Sequence, residues 1–318
     1  MENTDYIIDN SVIEANIHKV RQGIDVPIYV NFTTWVKRDC YVKEMLTHFA
    51  KQTVSPTKIT CWLSIKEYNH IIPPSIQECL DSKLIDEIRW VKGNTYCHKR
   101  WEAVKYYSDG YIIMIDDDLY YPTDYIEKLI AYSLSYPNAV TCYYTKKLDF
   151  INGDCSVIPY TGDASLKNSF LSGLSCFSPH SYPSRALRHP LKRRIFCEKC
   201  DDTWIKAWLL RYKIPIVGCN AWRDDCLNPI ENTQDDGIYE TVNSAIINGV
   251  GKEYYNLVDA IVCAGATSVA EQIWPEINIK RFHTTTGQVL KSFRIKRRIR
   301  KFIKRILKSC FSFIRKAN

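Results

Sequence analysis

No apolar run in the chain approaches the roughly 20 residues needed to span a bilayer. The first residues, Met1-Glu2-Asn3-Thr4-Asp5, are polar and acidic. No apolar core with a small-residue cleavage site follows them, so no export signal is expected. Internal repeats and low-complexity linkers are absent, which argues against a repeat architecture. Residues 26–40 hold no glycine, which leaves no room there for a glycine-rich phosphate loop. No acidic residue occurs after Glu276. Cysteine is not scarce: the chain has 13, an odd number. Without an export signal, these read as mostly reduced cytosolic thiols.

What is present is ordinary for a globular protein, with 46% hydrophobic and 25% charged residues. A length of 318 residues suits one large α/β domain or two small ones. Charge is unevenly placed. Residues 291–316 carry 12 Lys and Arg, and removing them from the formal +8 leaves about −4. A mildly acidic body argues against nucleic-acid binding over its surface. The same tail spaces Ile295, Ile299, Phe302, Ile303, Ile306, Cys310 and Ile314 along one helical face. A basic amphipathic helix without acids reads as a membrane-surface segment, drawn to anionic lipid.

Apolar patterning alternates between strand and helix in the first half. Strands are expected at 26–32, 58–64, 85–91, 110–115 and 139–143, and helices at 12–22, 39–52, 73–82, 96–107 and 122–136. The alternation predicts an α/β fold with a mainly parallel sheet covered on both faces. From 147 to 195 the pattern loosens into a Ser-, Pro- and Gly-rich stretch, which fits irregular segments and β-ribbons. Helices are expected again at 201–212, 237–250 and 252–263. The chain divides into an extension (1–24), two halves of one domain (25–146 and 147–290) and the basic tail (291–318).

Three aspartates, Asp116-Asp117-Asp118, directly follow the apolar run Tyr111–Ile115. Carboxylates are costly to desolvate, so they belong at the strand's carboxyl end, facing a cleft. Their mutual repulsion is relieved by a hard divalent cation, Mg²⁺ or Mn²⁺, shared with phosphate. A solvated acidic loop is the competing reading. Asp201-Asp202 open a later helix, where aspartate serves either as a cap or in chemistry. Lys99 and Arg100 read as phosphate partners or as a solvated helix face. Cys197 and Cys200 form a lone C-x-x-C; zinc would need two more ligands, from Cys219, Cys226 or His189, and a redox pair lacks its context, so structural thiols are the better reading.

The ordered series carries a resemblance. It runs Thr33-Thr34-Trp35, Gln52-Thr53, Cys61-Trp62-Leu63-Ser64, His98-Lys99-Arg100 and Ile115-Asp116-Asp117-Asp118 with Tyr121-Pro122. It closes with Leu171-Ser172-Gly173 and Cys200-Asp201-Asp202-Thr203-Trp204. Over roughly residues 26–262 this resembles bacterial glycosyltransferases of the GT-A fold, close to glycosyltransferase family 2. The resemblance implies a UDP- or GDP-sugar donor and Mn²⁺ or Mg²⁺. It implies metal ligation by Asp116 and Asp118, with Asp117 in support and Asp116 also at the ribose. Thr33 and Thr34 would meet base and ribose, and Lys99 and Arg100 the donor. Ser172-Gly173 would be a small-residue turn at the donor sugar, which a plain turn explains almost as well. A late histidine, His283, is a further candidate ligand, although a lone histidine is more often structural. In inverting members a carboxylate of the later motif is the general base, here Asp202 or Asp201. Cys200 stands before the pair where many relatives have a Glu-Asp motif, which leaves both open.

Together these readings imply a cytoplasmic enzyme, peripheral on the inner face of the cell membrane. Its acceptor would be a glycan or glycolipid, with no nucleic-acid partner. A sugar nucleotidyltransferase and a non-catalytic membrane scaffold of the same fold are the rival readings. The missing glycine-rich loop argues against the first, and donor hydrolysis would exclude the second.

Overall fold

The computed structural model describes residues 9–279, apart from 94, 152–153, 160–163, 172, 183, 222–226, 235–245 and 248–249. Contacts divide the chain into 1–277 and 278–318. The basic tail and the helix expected in it lie outside the described residues.

Helix α1 (Asn10–Gln22) is capped by Asp9, whose carboxylate accepts from the Ser11 amide at 2.9 Å. Then come β1 (Ile28–Thr33), α2 (Val42–Phe49), β2 (Lys58–Ser64), α3 (Ile65–Tyr68), α4 (Pro74–Asp81), β3 (Glu87–Val91) and β4 (Tyr111–Ile115). Next are β5 (Leu119–Tyr120), α5 (Tyr125–Ser135), β6 (Val140–Ile151), β7 (Asp154–Pro159), β8 (Asn168–Phe170) and β9 (Leu174–Phe177). The chain continues through α6 (Pro190–Phe196), α7 (Asp201–Arg211), β10 (Ile216–Ala221), β11 (Asn228–Pro229), β12 (Ile246–Ile247), β13 (Val250–Gly251), α8 (Lys252–Ala264) and α9 (Thr267–Ile273).

The α/β expectation holds. The main sheet runs β10-β6-β9-β4-β1-β2-β3, with β7 and β8 paired to β6. Neighbours β1–β2, β2–β3, β1–β4 and β6–β10 are parallel, and β9 alone reverses along that path. All five residues of β4 are buried. An uninterrupted apolar strand is what a sheet covered on both faces requires. Each fully buried Ile or Met there is worth about 1.5–3 kcal/mol over an exposed one. Helix α1 packs on α5, burying Ile13 and Val20, and Arg21 pairs with Glu127 at 2.8 Å.

Two expectations need correction. Residues 237–250 are not one helix: Ile246–Ile247 pairs antiparallel with Val250–Gly251, while 235–245 and 248–249 lie outside the described residues. Between β3 and β4 the helix is of 3-10 type, Tyr96–Lys105. Such helices rarely exceed three or four residues. Here four successive side chains, His98 to Trp101, are all buried: His98 is tied to Cys197, Lys99 to Thr34, and Arg100 and Trp101 to Asp201. A regular α-helix turns successive side chains through 3.6 positions and would expose part of that run.

Candidate active site

Strand register assembles the site. β2 and β4 lie on opposite sides of β1, so the direction of winding switches between β1 and β4. Ligands of open α/β sheets bind outside the carboxyl ends of the strands at such a switch. Asn31 is level with Met114, so Thr33 and Asp116 leave their strands side by side. Ile115 is level with Leu174, which brings Gly173 against Asp116. A Cβ at Gly173 would lie 1.9 Å from Asp116 Oδ2, so any larger residue there would push the Asp116 carboxylate aside. Ser172 lies outside the described residues. The Asp116 amide donates to Tyr121 Oη at 2.7 Å, and the buried Tyr121 ring stands edge-on to Phe49.

Arg100 joins the two acidic motifs. Its Nη1 donates to Asp116 Oδ1 at 2.5 Å and to the Ile115 carbonyl at 3.0 Å. Its Nε and Nη2 donate to Asp201 Oδ2 at 3.2 and 3.1 Å. Trp101 Nε1 reaches the same oxygen at 2.8 Å. Burial alone would depress the Arg100 guanidinium, but Asp116 and Asp201 hold it well above its ordinary value. Lys99 is buried and donates to the Thr34 carbonyl at 2.8 Å and to Glu67 at 3.3 Å. Neither basic residue lies on a solvated face. Thr33 Oγ1 donates to the Trp62 carbonyl at 2.7 Å, and Thr34 is buried. His98 Nε2 meets the Cys197 carbonyl at 2.6 Å, and burial pushes its imidazole down to about 4, so the ring is neutral and donates there.

Arg38, on the turn after β1, pairs with Asp118 and lies 3.5 Å from Asp117 Oδ1. Burial raises the Asp117 carboxyl, with Arg38 opposing. Asp118 is pushed up to about 7 by burial and by Asp117 and Asp116, again against Arg38. Asp117 Oδ2 is buried without a hydrogen-bond partner. Asp116 keeps about a third of its side chain exposed, at 34%. Exposed and unsatisfied carboxylate oxygens at a strand end are hard donors, which fits Mg²⁺ or Mn²⁺ completed by phosphate and water. Among the described residues, no group of three or more His, Cys, Asp or Glu is arranged to hold an ion by protein ligands alone. His283 lies outside the described residues.

At the start of α7, Asp201 is buried and Asp202 is half-buried. Asp202 Oδ1 accepts from the Thr203 amide at 2.7 Å, next to Asp201 in the first helical turn. Cys197 and Cys200 are both buried, and burial holds the Cys197 thiol well above its ordinary value. Two cavities, of about 460 and 400 Å³, share His48 and Tyr120 beside the acidic turn.

The structure thus gathers Thr33, Thr34, Lys99, Arg100, Asp116, Asp117, Asp118, Gly173, Asp201 and Asp202 around one switch point. Sequence reasoning missed Arg38, Glu67 and Trp101, and it named Tyr121 in the motif series without giving it a role. The triplet itself was the signal for Arg38, because three adjacent carboxylates demand a nearby cation.

No family model and no curated protein matches the sequence. Among solved structures, one similar chain is the mannosyltransferase PcManGT from Pyrobaculum calidifontis in complex with GDP-Man and Mn²⁺. The TM-score is 0.47 at 9% identity, over 89% of this chain and 80% of that one. Another is S. aureus TarS 1-349 in complex with UDP-GlcNAc, with TM-score 0.48 and 13% identity, over 80% and 72%. A third is GalNAc-T7 with UDP, GalNAc and Mn²⁺, with TM-score 0.46 and 11% identity, over 82% and 54%.

Proposed function

We propose that the chain is a glycosyltransferase that moves a sugar from a UDP- or GDP-sugar to a hydroxyl of a glycan or glycolipid acceptor. The observation that carries this reading is the acidic turn at the β1–β4 switch, tied through Arg100 to Asp201 at the start of α7. It ties the early and late acidic motifs of the family-like series to one another. Asp116 and Asp118 would hold Mn²⁺ or Mg²⁺, with His283 as a further candidate. Such an ion, when bound, neutralises charge on the leaving nucleoside diphosphate.

Thr33 and Thr34, at the end of β1, serve the base and ribose. Ser172-Gly173 lets the donor sugar approach the backbone. Lys99 and Arg100 act as positioning residues, one holding the Thr34 carbonyl and the other Asp116. Asp202 is the general base rather than Asp201, whose carboxylate is buried under three hydrogen bonds from Arg100 and Trp101. Asp202 takes the proton of the acceptor hydroxyl as that oxygen attacks the anomeric carbon. The bond from that carbon to the diphosphate oxygen breaks, and the configuration inverts. The acid-free basic segment 291–316 supports attachment to the inner membrane face and a lipid-linked acceptor.

A panel of UDP- and GDP-sugars with Mn²⁺ tests the reading by thermal shift, since a true ligand stabilises by mass action. One donor should stabilise only with the ion, and NMR of the product should give the inverted anomer. The reading fails if no donor stabilises the protein and none is hydrolysed.

A further inference from the structure

Arg38 meets its carboxylates through one nitrogen. Only Nη1 reaches Asp118 and Asp117, and Nε is buried without a hydrogen-bond partner. The side chain is nonetheless 12% exposed, against 4% for Arg100. Arg100 meets two carboxylates and the Ile115 carbonyl through all three of its nitrogens, whereas Arg38 sits on the short turn 35–38 and meets Asp117 and Asp118 through Nη1. A guanidinium has five donors in a rigid fork that suits carboxylate or phosphate in bidentate fashion. The contact with Asp118 leaves most of that fork unused.

Charge tells the same story. Asp116, Asp117, Asp118 and Asp201 place four carboxylates around Arg38 and Arg100. Fully ionised, the cluster is two charges short of neutral, which is the charge of one divalent ion. A diphosphate adds negative charge again, and a cation already at the site must answer it.

We propose that Arg38 is an exchangeable counter-cation: it neutralises Asp118 until a metal–diphosphate donor arrives, then yields that carboxylate and pairs with phosphate oxygens. This rests on the donor site proposed above. Its consequence is ordered recognition. The ion alone must displace Arg38 and binds weakly, whereas ion and diphosphate together give Arg38 a new partner.

The test compares wild type with Arg38→Met and Arg38→Lys. Mn²⁺ alone is titrated by electron paramagnetic resonance. UDP and GDP are titrated calorimetrically in Mn²⁺, with uridine and guanosine as controls. Arg38→Met should bind Mn²⁺ alone about tenfold tighter and the preferred diphosphate about tenfold weaker, with nucleoside binding unchanged. A purely structural Arg38 would weaken all three, and that result, or no change in any, overturns the proposal. Should the Met variant not fold, Arg38→Lys keeps the charge and loses the fork. It should bind Mn²⁺ like wild type and the diphosphate more weakly, and unchanged diphosphate affinity then overturns the proposal. If wild type binds neither diphosphate with Mn²⁺, the donor-site reading itself fails and takes this one with it.

Discussion

At the scale of single residues, Lys206 on α7 shows how an ionisable group serves the scaffold of the site. It is 1% exposed, and its Nζ donates to the Leu166 and Asn168 carbonyls at 2.7 and 2.5 Å. This ties the helix that begins with Asp201 and Asp202 to the approach of β8. Burial lowers the ammonium to about 7 from an ordinary 10.5. Between those values the unfolded chain binds a proton that the folded chain does not. Stability should therefore rise as pH climbs through that window, while below about 7 the cost of burying the charge is felt in full. Lys206→Met keeps the length and removes the charge. Denaturant titrations across pH 7–10 should show a rising stability in wild type and a flatter profile in the variant. Parallel profiles would mean that Lys206 stays charged in the fold.

At the scale of elements, the 3-10 segment and the first turn of α7 act as one unit. Trp101 and Arg100 meet Asp201 from one side, while Asp202 belongs to the same turn with a half-buried side chain. The two aspartates should separate by experiment. Asp201→Asn leaves buried Arg100 short of a counter-charge, and breaking a buried pair costs about 3–5 kcal/mol. Its loss should appear as a lowered melting temperature. Asp202→Asn should fold normally and bind donor, yet slow glycosyl transfer by ~10²–10⁴-fold, as expected for a lost general base. Unfolding curves and single-turnover rates on both variants check this. A stable Asp201→Asn protein with the larger rate defect would exchange their roles.

At the scale of the whole molecule, the chain joins an acidic body to a basic tail. No helix among the described residues is long and apolar enough to cross a membrane. The proposed reading has the 12 basic residues of 291–316, with the apolar residues spaced between them in the sequence, attach the protein to a membrane surface. Burial of the stripe and attraction to anionic lipid act together, so binding should weaken as salt rises. Full-length protein should float with phosphatidylserine-containing vesicles and come off at high salt. A chain ending at Thr286 should remain in the lower fractions and still bind nucleotide with Mn²⁺. Equal flotation of the two forms rules out the tail as anchor, and an unfolded truncated chain means that the tail packs on the body.

The amino-acid sequence by itself determined the alternation of strands and helices, because burial on both faces of a sheet demands apolar runs such as Tyr111–Ile115. It also determined where charge would concentrate, since Asp116-Asp117-Asp118 directly follow that run and must sit at the strand's carboxyl end, in a cleft or in a solvated loop. It did not reach the partners of those carboxylates. Arg38 reaches Asp118 across a sequence separation of 80, and Arg100 reaches Asp201 across one of 101. No local period encodes such pairs. The 3-10 form of Tyr96–Lys105 was equally hidden, because four successive buried side chains there answer to Cys197, Thr34 and Asp201, all distant in the sequence. Gly173 was legible as a turn, but its closeness to Asp116 came from strand register, which set that carboxylate where a Cβ would otherwise stand. Local pattern settles which segments are strand or helix and where carboxylates cluster, while only the packed sheet decides which cation meets which carboxylate, because that depends on contacts between segments far apart in the chain.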